Sequence, residues 1–150
     1  MSTVERQVAA TGEDTQWERL WFAALQSPWG SLAVIPATRG TSTAALARRL
    51  AEVAKVHRES EVHLLNAEGI RLADALWFVD GVNEHCAHGD RAILSLDSPL
   101  ANNAAIPIAR ATDAVILVVT LGDTRFADAA RTLDLVGRER FIGAVTVRAD

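Results

Sequence analysis

"VIPATRGTSTAALARRL", residues 34–50, sets the expectation for the fold. Its apolar start is typical of a buried strand, and its Ala-rich end is typical of a helix. Between them lies a short loop with one glycine, followed by three hydroxyl residues. This order outlines a phosphate-binding loop, in which backbone N–H groups and a helix N-terminus bind phosphate oxygens. The residues of this candidate loop are Arg39, Gly40, Thr41, Ser42 and Thr43.

The candidate loop departs from a working phosphate loop in charge and in length. Thr41 stands at the position of the lysine that reaches the outer phosphates, and Arg39 is the only nearby cation. A guanidinium fork on a long stem is a poor substitute for that lysine. The segment is also about two residues shorter than the motif requires. By pattern alone the match to a phosphate loop is weak, and the stretch favours a capped strand–helix turn over a nucleotide site.

Strands and helices alternate along the rest of the chain. The strands are continuous apolar runs, as in a parallel sheet that is covered on both faces. The sequence predicts a three-layer α/β/α sandwich with a mainly parallel five-stranded sheet, preceded by one N-terminal helix. It forms one domain over 13–150, after a flexible N-terminus at 1–12. Strands are predicted at 31–35, 61–65, 92–96, 114–119 and 141–147, and helices at 15–26, 42–57, 70–79, 103–111 and 123–137.

Composition excludes several classes of protein. The 150 residues carry a formal charge of −4 without a basic block, which argues against nucleic-acid binding. Lys55 is the only lysine, Tyr is absent, and the single Cys86 cannot form an internal disulfide. No apolar run has the length of a signal peptide or a membrane span. We therefore expect a cytoplasmic protein without direct membrane insertion.

Acidic and amide residues follow two of the predicted strands. In parallel sheets, ligands bind beyond the carboxyl ends of the strands. Asp97 follows the third strand, where a carboxylate can support a magnesium ion, while Asn66 and Glu68 follow the second. With Ser42 or Thr43 as the magnesium-binding hydroxyl, these residues complete the outline of a nucleotide site.

Four segments in order resemble the cytoplasmic domain of bacterial polysaccharide-type tyrosine kinases, which are P-loop proteins related to the MinD/ParA ATPases. The likeness is strongest at 92–137, which contains Leu96-Asp97-Ser98-Pro99. It implies a P-loop-type fold and self-association. It also implies a membrane partner, the chain-length-controlling polysaccharide copolymerase, whose cytosolic tail would touch the sheet's carboxyl edge. The segments are 31–54, 62–71, 92–137 and 141–147.

The departures from this family fall on the residues that carry its chemistry. The family's G-E-G-K-S-T reads R-G-T-S-T here, and Asn66 replaces the first acid of its second motif. Without the lysine, charge on a transferred phosphoryl group lacks its fixed cation, and an amide cannot act as the base. Val147 stands where relatives have an adenine-facing Asn, and the tyrosine-rich tail is absent. The phosphate loop and the acidic positions Asn66, Glu68 and Asp97 therefore read as vestigial.

The resemblance and its losses together indicate a pseudo-kinase or pseudo-ATPase. Such a protein would regulate or scaffold exopolysaccharide biosynthesis and export, recruited to the inner membrane by its partner. We expect no catalytic residue and no cofactor. One alternative is a residual ATPase or tyrosine kinase that binds ATP-Mg with Arg39 in place of the lysine. Another is a MinD/ParA-like positioning protein.

The leading helix contains the candidate contacts for self-association. Glu13, Gln16 and Arg19 partly match the family's E-x-x-R-x-x-R oligomerisation motif. Trp17 and Trp21 lie on one face of the same helix. Such tryptophans either pack in the core or form a subunit contact, since Trp is common in both settings.

Two further patterns in the sequence are typical of other kinds of protein. His85, Cys86 and His88 invite a zinc site, but a structural site needs four ligands, so we expect a polar loop and no metal. Asp97 and Thr120 are also placed as in a phosphoacceptor receiver domain. That class needs an acidic pair after the first strand and a lysine after the last, and neither is present.

Overall fold

The computed structural model describes residues 2–5, 13–57 and 61–148. It has six strands: β1 (Ser2–Glu5), β2 (Ser31–Pro36), β3 (Val62–Asn66), β4 (Arg91–Ser95), β5 (Ala114–Leu121) and β6 (Phe141–Arg148). Its helices are α1 (Glu13–Ala24), α2 (Ala44–Val56), α3 (Ala75–Cys86), α4 (Ala105–Ala111) and α5 (Phe126–Val136). Two 3-10 turns, Leu72–Asp74 and Arg138–Arg140, precede α3 and β6. The predicted α/β class is confirmed.

All neighbouring strands pair in parallel, in the order β1-β6-β5-β2-β4-β3. The five predicted strands are all present. Their order is 2-3-1-4-5, which differs from the 2-1-3-4-5 order of receiver domains. The topology therefore speaks against the receiver alternative, as the missing acidic pair does.

The N-terminal strand β1 was not predicted, and the expectation of a flexible segment over 1–12 is wrong for Ser2–Glu5. These residues pair with β6 from Gly143 to Thr146. The outer edge of β6 offers unpaired backbone groups, and Thr3 and Val4 are residues that favour strands. The remainder of that segment, 6–12, lies outside the described residues.

Helices cover both faces of the sheet, as predicted. Successive residues of a strand point to opposite faces, so each strand contributes to two separate cores. Leu32 and Val34 of β2 pack under α1 and α2. Ala33 and Ile35 pack under α3, α4 and α5.

Trp17 and Trp21 lie in the core beneath α1, where they are 3% and 2% exposed. The alternative in which they form a subunit contact is therefore wrong. Trp21 meets Trp29 edge to face at 5.8 Å, and the Trp29 indole N–H donates to the Ala24 carbonyl at 2.9 Å. Their burial follows from topology, because α1 and α2 are the helices that cover this face of the sheet in the described part of the chain.

The other candidate contacts of α1 differ in placement. Arg19 is exposed and Gln16 is half-buried. Glu13 begins the helix, but its side chain lies outside the described part. The surface of α1 that remains open to a partner therefore combines polar residues with the exposed Phe22.

The bounds of α3 differ most from prediction. α3 begins at Ala75 and continues through Glu84, His85 and Cys86, where we expected a polar loop. The polar residues lie on the solvent side of the helix, so they do not interrupt it. Helix α4 contains Pro107 in its first turn, where the missing N–H of a proline would have no helical partner. No helix among the described residues is long and apolar enough to cross a membrane.

Candidate functional site

The predicted site residues lie at the place in the sheet where loops from neighbouring strands lead to helices on opposite faces. β2 lies between β4 and β5. The loop after β2 leads to α2 on one face, whereas the loops after β4 and β5 lead to helices on the other face. Ligands of open α/β sheets bind at such a switch point. The β2–α2 loop therefore occupies the expected position for a site.

The Thr43 side chain faces the sheet rather than the site. It is 1% exposed, and its hydroxyl donates to the Val34 carbonyl at 2.9 Å. The Leu96 carbonyl is a second, longer partner at 3.4 Å. Thr43 makes no capping hydrogen bond to α2. Its hydroxyl fastens the start of α2 to β2.

Ser42 is the hydroxyl that remains at the mouth of the loop. Its oxygen accepts the Ala44 N–H at 3.2 Å, which satisfies one free donor of the first helical turn. The same hydroxyl donates to the Glu68 carboxylate at 3.0 Å. A negative charge therefore lies within hydrogen-bonding reach of the loop that a phosphate would enter.

Asp97 and Asn66 hold the neighbouring loops together. One Asp97 oxygen accepts the Gly69 N–H at 2.7 Å and the Asn102 amide at 2.8 Å. The Asn66 side-chain oxygen accepts the Glu68 N–H at 2.9 Å. All three acidic-motif positions therefore make bonds within the protein, and they shape the β3–α3 loop that carries Glu68.

Arg39 does not join this cluster. It is exposed next to Gly40, whose φ of +75° gives the tight turn that only glycine adopts easily. Among the described side chains, Arg39 makes no ion pair with Glu68 or Asp97. Thr41 is half-buried at the loop. The structure thus joins Ser42 to Glu68 and places Asp97 on the adjoining Gly69 N–H, and Arg39 takes part in neither contact.

A small cavity adjoins the loop on the α1 and α2 side. Its volume is about 170 Å³, below the 300–1,000 Å³ that is usual for ligand pockets. Val147, at the position of the adenine-facing Asn of the family, lines this cavity with Trp17 and Arg148. Val147 is apolar, whereas Arg49 also lines the cavity beside Arg148.

Two polar contacts of the switch region were missed by sequence reasoning. The Thr38 and Thr124 hydroxyls share a hydrogen bond, and Thr124 also accepts the Thr120 N–H at 2.8 Å. Helix α5 begins at Phe126, after the predicted start at 123, and has no side-chain cap. The sequence did not indicate this contact, because two threonines that are 86 residues apart form no recognisable motif.

Asp113 is a further missed residue, at the opposite edge of the sheet. Its carboxylate accepts the Gly30 N–H at 2.7 Å and the Ser31 N–H at 3.1 Å. These bonds fix the start of β2 to the start of β5. In the sequence, Asp113 is an acidic residue before an apolar strand, and no motif indicates its role.

The histidine and cysteine region has its own geometry. The His63 and His85 rings lie 4.7 Å apart, and His63 pairs with Asp90 at 3.1 Å. Burial, with smaller effects from Asp113 and Asp90, raises the pKa of the Cys86 thiol. Within the described ranges, no three His, Cys, Asp or Glu residues are grouped so that they could hold a metal ion.

No family model matches the chain, and no curated protein matches it. Function is therefore inferred from the geometry of the switch region and from the motif resemblance. The fold by itself does not decide function, because one fold hosts many chemistries.

Proposed function

We propose that this chain is a non-catalytic relative of the polysaccharide-type tyrosine kinases that regulates or scaffolds exopolysaccharide biosynthesis and export. One observation carries the proposal. The groups that would bind a magnesium triphosphate, namely Ser42, Thr43 and Asp97, are used in hydrogen bonds within the protein. The residues of the old site now act as links between loops.

Electrostatics oppose a triphosphate at this loop. Glu68 brings an acidic side chain against Ser42, Asp97 accepts the adjoining Gly69 N–H, and Thr41 stands where the family has its lysine. Phosphoryl transfer depends on fixed positive charge at this position.

The hydroxyl geometry opposes magnesium binding by Thr43. To reach a metal, its hydroxyl would have to leave a buried bond to the Val34 carbonyl. A buried polar group that loses its partner costs about 1–3 kcal/mol. Ser42 alone has an exposed hydroxyl, and that hydroxyl is held by Glu68.

The pathway and the partners in this proposal come from the resemblance. They are an exopolysaccharide system, a copolymerase tail at the carboxyl edge and recruitment to the inner membrane. Self-association would use the exposed surface of α1, with Gln16 and Arg19, since the tryptophans are buried.

ATP-Mg titration monitored by tryptophan fluorescence tests the proposal. Trp17 lines the cavity beside the loop, so its emission would report a bound nucleotide. We expect a Kd weaker than about 1 mM, which corresponds to about −4 kcal/mol. A Glu68→Gln variant serves as a comparison, because it removes one opposing charge. Micromolar binding by the unaltered protein would overturn the proposal.

The enzymatic alternative is favoured by one feature of the site. Ser42, Glu68 and Asp97 present hydroxyl and carboxylate oxygens, which are ligands that Mg²⁺ prefers. In that case ATP-Mg would bind at this edge and Arg39 would replace the lysine. Release of inorganic phosphate from ATP, lost in Arg39→Ala, would support a residual ATPase. A MinD/ParA-like positioning role would be distinguished by its co-purifying partners.

A further inference from the structure

Helix α3 and the turn before it expose three large apolar side chains. Leu72, Leu76 and Trp77 are 59%, 76% and 79% exposed. They lie within two turns of chain, so they form one patch rather than scattered residues. Contiguous apolar patches on soluble proteins commonly mark interaction sites, and tryptophan is enriched at their energetic centres.

A groove adjoins this patch. Its volume is about 490 Å³, and it lies between α3 and the β3–α3 loop. Trp77 and Phe78 form its apolar side, while Ile70 and Asp74 line the loop side. A groove of this size can accept large side chains from a partner.

The charges around the patch are mainly acidic. Residues 71–86 contain three acids, Asp74, Asp80 and Glu84, and one base, Arg71, for a formal charge of −2. Arg71 is paired with Asp74 at 3.1 Å. Asp80 and Glu84 remain exposed one helical turn apart. The patch therefore favours a partner that carries positive charge beside an apolar stripe.

We propose that the α3 surface binds a basic amphipathic helix of a partner protein. The partner's apolar stripe packs on Leu72, Leu76 and Trp77, and its Lys or Arg side chains pair with Asp80 and Glu84. This inference rests in part on the proposed function, because a protein without catalysis acts through its surfaces.

The same charges argue against two other occupants. A second copy that presents its own α3 would bring acidic side chains against acidic side chains. Anionic lipid headgroups would likewise be repelled by Asp80 and Glu84. A basic helix is the occupant that satisfies both the apolar patch and its charge.

A synthetic helix of Leu and Lys, about four turns long with Leu at i, i+3, i+4 and i+7, is a direct probe. Of the four tryptophans, Trp77 alone is largely exposed. We expect a blue shift of its emission on binding. A matched peptide with Glu in place of Lys should not bind. No shift with the Lys peptide would overturn the inference.

Variants assign the binding to this surface. The double variant Asp80→Lys with Glu84→Lys should bind the Lys peptide about tenfold more weakly, as expected when two surface ion pairs are reversed. Leu76→Ser should weaken it similarly. Phe126→Ser is the matched control, because Phe126 is 90% exposed on α5, and it should leave binding unchanged. Circular dichroism confirms that each variant is folded.

Three further outcomes would contradict the inference. They are equal affinity in the charge-reversed variant, tighter binding to vesicles with half anionic lipid than to the Lys peptide, and a concentration-dependent dimer that Leu76→Ser abolishes. None of them changes the ATP-Mg titration. Failure of this inference is therefore distinguishable from failure of the proposed function.

Discussion

The Ser42 hydroxyl donates a hydrogen bond of 3.0 Å to the Glu68 carboxylate. This contact joins the loop after β2 to the loop after β3, across the face where a phosphate would enter. In a working phosphate loop the corresponding hydroxyl binds magnesium. Here it binds an acid of the same chain, which converts a ligand-binding position into a structural one.

Replacing Ser42 tests that structural role. Ser42→Ala removes both the acceptor for the Ala44 N–H and the donor to Glu68. We expect the free energy of unfolding to fall by about 1 kcal/mol, the usual effect of losing a helix-start hydroxyl. Urea denaturation measures it. Ser42→Thr keeps the hydroxyl and should be close to neutral, whereas an unchanged Ser42→Ala would show that the bonds contribute nothing.

Thr43 offers a sharper test because its hydroxyl is buried. Thr43→Val keeps the shape and removes the donor to the Val34 carbonyl. That carbonyl still accepts the Leu96 N–H at 3.1 Å, so we expect a loss of only about 1 kcal/mol. Thr43→Ser retains the hydroxyl and provides the control in the same urea titrations. A larger loss in Thr43→Ser than in Thr43→Val would show that the methyl group matters more.

The tryptophans provide a matched pair for thermal unfolding. Trp17→Ala leaves a cavity in the core and should cost about 3–5 kcal/mol. Trp77→Ala alters a largely exposed side chain and should stay within about 0.5 kcal/mol. Similar losses for both variants would mean that Trp77 is buried in solution, for example by self-association.

Cys86 should react slowly with iodoacetamide. Burial, then Asp113 and Asp90, raises the pKa of its thiol. Only the thiolate reacts, so at any pH below that pKa the reactive fraction is smaller than for an ordinary cysteine. The pH–rate profile of the folded protein should lie at higher pH than that of the protein in urea. Coincident profiles would refute the shift.

Asp113 should stabilise the fold more than its exposed position indicates. Asp113→Ala leaves the Gly30 and Ser31 N–H groups without their charged acceptor. Hydrogen bonds to charged groups contribute about 1.5–3 kcal/mol, and we expect a loss in that range by urea denaturation. Asp123→Ala, at an exposed loop position, should change stability by less than about 0.5 kcal/mol. Equal effects would remove the special role of Asp113.

Sequence reasoning reached the central elements because their signals are local. β2 and β5 are long apolar runs, and the glycine near Arg39 marks the turn between strand and helix. Strand β1 was not predicted, because the four residues Ser2–Glu5 form a strand only when the β6 edge is available to pair with them. The end of α3 was predicted as a loop because its residues are mostly polar. Its helical character is evident only when one face of the helix is seen to pack on the sheet.

The sequence by itself determined the layered α/β architecture and the missing lysine at Thr41, because period, apolar content and residue identity are written in the chain. Only the tertiary structure decided which side chains meet. It turned Thr43 toward Val34, placed Glu68 against Ser42, buried Trp17 and exposed Trp77. Such contacts join residues that are distant in the chain, and their partners are fixed by the strand order and the crossing of helices over the sheet.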